Sequence, residues 1–91
     1  MNAITFLNIV NDIAAELDLA EEMFPLFPKD PVHAAGIVGK EAGELQQAAL
    51  QFTYERGSLS DMKSEAIQTA TMAIRFIANI LNMEARPSVQ L

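Results

Sequence analysis

Apolar residues recur at three- and four-residue spacing along most of this chain. Between Asn2 and about Ala20 they are Ala3, Phe6, Leu7, Val10, Ile13, Ala14 and Leu17, with Asn8, Asn11, Asp12, Glu16 and Asp18 placed elsewhere. That is the pattern of an amphipathic helix over residues 2–20. The following stretch, EEMFPLFPKDP, holds three prolines within seven residues and is excluded from any helix interior. Asp30 followed by Pro31 reads as an N-cap and first-turn proline, opening a second helix over 31–53 that must stop by Gly57, a natural C′ residue. Ser58 or Ser60 caps a third helix over 58–83, and Pro87 closes the ordered part. Strand-type alternation, internal repeats and low-complexity tracts are absent from the sequence. The predicted fold class is all-α: a single domain over 1–91, an antiparallel helical bundle of two long helices plus an N-terminal helix.

Composition adds a tension to this picture. The chain has 91 residues, 51% of them hydrophobic and only 20% charged. A domain this small has too little interior to hide that fraction, so part of it is expected to be buried against another copy. The third helix points the same way. Only Ser64, Gln68, Thr71, Arg75, Asn79 and Asn82 form its polar strip, and so wide an apolar face needs partners on two sides. A homodimer or homotetramer is expected.

Charge and missing residue types exclude several functions. Six Lys+Arg against twelve Asp+Glu give a net charge of −6, which argues against binding a nucleic acid polymer. No cysteine and one histidine remove thiolate nucleophiles, cysteine-type zinc sites and a His-rich metal site. A leader pattern and a membrane-length apolar run are both missing, so a cytoplasmic protein with no membrane partner is expected.

The acids are more informative. On a helical wheel the second helix has a stripe of Val38, Ala42, Leu45, Ala49 and Phe52. Glu41 falls about 60° from its centre and Glu44 about 60° further round. On the third helix the stripe is Ala66, Ala70, Ala73, Ile77 and Ile80. Glu65 lies about 80° from its centre, with Asp61 one turn earlier on the same side. A Glu-x-x-Glu alone is surface decoration in most helices. Acids flanking facing apolar stripes are different, because a half-buried carboxylate needs a cation or a proton. Few basic residues are placed to help, and a hard divalent cation with oxygen ligands meets the need. Magnesium would retain waters and accept phosphate oxygens, which points to phosphate-ester or phosphoanhydride chemistry. Glu44 with Glu65, and Glu41 with Gln68, each average to position 54.5. In an antiparallel hairpin these pairs are level if the second helix ends near Phe52 or Thr53.

The stretch HAAGIVGKEAGELQQAAL, followed by SEAIQTATMAIRFI, resembles the MazG-like family of all-α nucleoside triphosphate pyrophosphatases, in a phage-type or divergent form. That family carries Glu-x-x-Glu on one helix and Glu-x-x-Asp on the next. Here Glu41-Ala42-Gly43-Glu44 matches the first half, and Glu65-Ala66-Ile67-Gln68 the second with an amide in place of the last acid. The resemblance covers about residues 30 to 82. It implies magnesium-dependent hydrolysis of a (deoxy)nucleoside triphosphate to the monophosphate and pyrophosphate. Glu41, Glu44 and Glu65 would be catalytic and would hold the Mg2+, with Gln68 or Asp61 completing the shell. A Walker-type glycine loop is absent, so substrate phosphates would meet Lys40, Lys63 or Arg56. Arg75 is expected to be a surface charge facing away from the acids. The competing expectation is a non-catalytic helical homo-oligomer, a nucleotide sensor or accessory binding protein, that keeps the scaffold with a metal site weakened at Gln68.

The remaining residues have ordinary expected roles. His33 is an exposed helix-start residue, Phe24 and Phe27 plug the open end of the bundle, and Met62, Met72 and Met83 serve packing.

Overall fold

The computed structural model describes residues 1–85, and Pro87 lies outside them. Three helices form, α1 (Ala3–Met23), α2 (Pro31–Tyr54) and α3 (Leu59–Ala85), and no strand occurs among the described residues. Each start carries a local cap. The Asn2 side chain accepts from the Thr5 amide at 2.8 Å and that of Asp30 from Val32 at 3.3 Å, with Pro31 in the first turn. Ser58, of the two candidate serines, accepts from the Asp61 amide at 2.9 Å. These bonds satisfy amide groups that the first helical turn leaves without partners.

The end of α2 departs from expectation in mechanism. The left-handed residue is Arg56, with φ 63°, and no glycine has positive φ. Gly57 is needed for another reason. Its amide and that of Glu55 both donate to the Gln51 carbonyl at 2.8 Å. A Cβ at Gly57 would stand 2.6 Å from the Phe52 nitrogen and 2.7 Å from the Gln51 carbonyl carbon. Glycine therefore allows the chain to double back against the helix it has just left.

α3 is central: α1 and α2 each pack on it and not on one another. Three links set the register of α1 and the connector against α3. Lys63 Nζ meets Asp12 Oδ2 at 3.2 Å, Arg75 Nη2 donates to the Phe24 carbonyl at 2.6 Å, and Asn79 Nδ2 donates to the Pro28 carbonyl at 2.6 Å. Each joins residues 51 apart, so α1 runs alongside α3 in the same sense and in step.

The inward face of α3 corrects the sequence reading. Thr71 is fully enclosed and Arg75 is only 8% exposed, whereas Ala66, Ile77 and Ile80 of the expected stripe are exposed. The polar strip thus faces the rest of the chain. It is tolerated because its members find partners: Thr71 Oγ1 donates to the Ile67 carbonyl at 2.8 Å, and Arg75 and Asn79 donate to connector carbonyls. On α2 the enclosed positions are Ala34 and Ala48, with Val38, Glu41 and Leu45 half-buried between them, while Ala42 and Phe52 are exposed. The inward face of α2 is therefore rotated from the expected stripe, and Glu41 lies within it and not on its flank. Among the described residues the enclosed apolar side chains are all alanines: Ala20, Ala34 and Ala48.

Candidate metal centre between α2 and α3

Glu41 and Glu44 are three residues apart on α2, close to one helical turn, and project from the same side. Glu65 comes from the second turn of α3, where the Thr69 hydroxyl donates to its backbone carbonyl at 2.8 Å. α2 ends at Tyr54, one residue beyond the expected limit. Even so, one carboxylate oxygen from each of the three glutamates lies within 4.8 Å of the others. All three side chains are half-buried.

Two of these oxygens are left without a partner. Glu41 Oε2 and Glu65 Oε2 are shielded from solvent and accept no hydrogen bond. A shielded acceptor without a donor is costly, and three like charges at this spacing repel one another. The consequence is visible at Glu41, whose carboxyl titrates above its ordinary value. Burial is the main cause, followed by the charge and hydrogen bond of Glu44 and then the charge of Glu65, with Lys40 pulling weakly the other way. Among the described residues no basic side chain forms an ion pair with the cluster, and the ion pair found is Lys63–Asp12. The arrangement is an electron-rich cage suited to a divalent cation with oxygen ligands or to a held proton.

The other expected site residues divide clearly. Gln68 is half-buried, one turn beyond Glu65 on α3. Asp61 is exposed and outside the group of three, and its backbone amide serves the Ser58 cap. Lys40 is exposed and next in sequence to Glu41. Lys63 is engaged by Asp12, and Arg56 sits exposed in the turn between α2 and α3. His33 is exposed as expected, Met62 and Met72 are half-buried, and Met83 is exposed.

Arg75 overturns its expected role. It is not a surface charge: its guanidinium donates to the Phe24 carbonyl and lies 4.9 Å from the centroid of the Phe27 ring. Phe27 is half-buried beneath it, while the Phe24 side chain is 63% exposed and plugs nothing. The signal for this was present in the sequence. Thr71, Arg75 and Asn79 stand at four-residue spacing on one face, opposite a proline-rich connector whose carbonyls have no helical partners.

No helix among the described residues is long and apolar enough to cross a membrane. Comparison of the chain with protein-family models, with curated proteins and with solved structures finds no match.

Proposed function

We propose that this chain is a magnesium-dependent nucleoside triphosphate pyrophosphohydrolase, working as a homo-oligomer. The observation that carries the reading is the pair of shielded, partnerless oxygens, Glu41 Oε2 and Glu65 Oε2, inside a three-carboxylate cluster. Buried acceptors of this kind call for a cation, and a group of oxygen ligands alone fits magnesium. Glu41, Glu44 and Glu65 would hold it, and Gln68, one turn further along α3, would offer a neutral carbonyl oxygen. Support for the antiparallel course of α2 and α3 comes from the groove between them, which the first half of α2 (Ala35, Val38, Gly39) lines together with the second half of α3 (Ala73, Phe76, Ile77).

When bound, the metal supplies Lewis-acid stabilisation of phosphate charge and acidifies a water. The chain supplies the rest. A carboxylate of the cluster with an oxygen not committed to the metal would accept the proton of the attacking water. Water adds across the bond between the α- and β-phosphates, giving the monophosphate and pyrophosphate. Exposed Lys40, beside Glu41, is placed to meet substrate phosphate; Lys63 would first have to leave Asp12. The test is pyrophosphate release from a panel of deoxynucleoside triphosphates with and without magnesium. Wild type is expected to exceed Glu41→Gln by at least about 100-fold. Equal, background-level release would overturn the catalytic reading and favour the non-catalytic oligomer, for which Gln68 in place of an acid speaks.

A further inference from the structure

The chain lacks a self-sufficient core. Among the described residues no Leu, Ile, Val, Phe or Met is enclosed, and the buried apolar side chains are three alanines. Its accessible surface is 7018 Å². A compact monomer of 10.0 kDa exposes about 5,200 Å². The surplus, roughly 1,800 Å², matches what one subunit buries in an obligate homodimer.

Two apolar surfaces are exposed. The first is the start of α1. Every residue from Met1 to Asp12 is exposed, and Ile4, Phe6, Leu7, Ile9 and Val10 are among them. No side chain before Asp12 is charged. The in-step register places residue 8 level with Leu59, so Ala3–Leu7 extends past the start of α3. The second surface is the groove between α2 and α3 lined by Ala35, Val38, Gly39, Ala73, Phe76 and Ile77. No atom lies within 4 Å of where a Gly39 Cβ would stand, so a foreign helix can approach the α2 backbone there.

We propose that the Ala3–Val10 segment of one copy docks in the α2–α3 groove of a second copy, reciprocally, about a two-fold axis. This takes the self-association proposed above as its premise and assigns it to a surface. A second copy fits better than another occupant for a physical reason. A chain with no large enclosed side chain needs a partner whenever it folds, and a second copy is present wherever the first is made. The segment is apolar and without basic residues, which suits a groove and gives an anionic lipid surface nothing to attract. Two such junctions related by symmetry close the assembly and cover both surfaces at once.

The natural absence of cysteine provides the test. In the full chain, Leu7→Cys with Ile77→Cys is expected to give a covalent dimer under mild oxidation, and each single substitution is not. Within one copy, Leu7 is level with position 58, about 28 Å along the α3 axis from position 77 at 1.5 Å per residue, so no internal bridge can form. Leu7→Glu and Ile77→Glu are each expected to halve the mass seen by sedimentation, and mixing the two variants to restore a dimer through the one intact junction. Crosslinking by Leu7→Cys alone, or no recovery on mixing, would overturn the pairing while leaving self-association intact. A wild-type mass of one chain would remove both. Pyrophosphate release from wild type reports on the catalytic reading separately.

Discussion

Two polar regions are buried against α3, and they have opposite characters. At one, Arg75 and Asn79 spend their donors on the carbonyls of Phe24 and Pro28, and Phe27 lies against the guanidinium. At the other, Glu41 and Glu65 bring shielded oxygens together and leave them without donors. The first region is satisfied and fastens the connector to the helix. The second has two shielded oxygens that find no donor among the described residues. A buried polar group with partners reads as structure, and one without reads as a site.

Substitutions should separate the two regions by sign. The largest effect on stability is expected from Arg75→Ala, which strands the Phe24 carbonyl and removes the contact with Phe27. A loss of about 3 kcal/mol in urea unfolding is predicted. A loss under about 0.5 kcal/mol would mean the connector is held by other means. Gly57→Ala should cost about 1–3 kcal/mol in the same assay, because its Cβ would press on the backbone of Gln51 and Phe52.

The acidic cluster should respond in the other direction. Glu41→Gln is expected to stabilise the metal-free protein at neutral pH by about 1 kcal/mol. The pH dependence follows from the raised Glu41 titration. The folded state holds a proton that the unfolded chain releases near the ordinary value of 4.5. Stability therefore falls as pH rises from that value through the folded one, and the loss is complete above it. Thermal melts of wild type and Glu41→Gln should coincide at the acidic end and diverge as pH rises, with magnesium closing the gap. Curves that stay parallel would show that the cluster is better solvated than its geometry implies.

How far the sequence reveals these regions depends on the kind of chemistry involved. The starts of α2 and α3 are legible because Asp30 with Pro31, and Ser58, act on amides two or three residues away. The meeting of Glu41, Glu44 and Glu65 is legible because spacing within a helix and distance from the turn decide it. The inward face of α3 is not. A helical wheel assumes that polar residues face water, and Thr71, Arg75 and Asn79 face protein because a connector rich in unpaired carbonyls lies across them. Arg56 taking the left-handed conformation beside Gly57 is hidden for a similar reason. Close approach to the preceding helix, and not backbone freedom, sets the glycine's place.

The connector is gripped by its main chain, and this bears on which of its residues heredity can alter. Arg75 and Asn79 hold carbonyl oxygens that almost any amino acid would present equally well. The side chain of Leu26 is 90% exposed between the two anchored carbonyls. Drift should therefore be permissive along the strap, at Leu26 above all, and severely limited at the two α3 residues that grasp it.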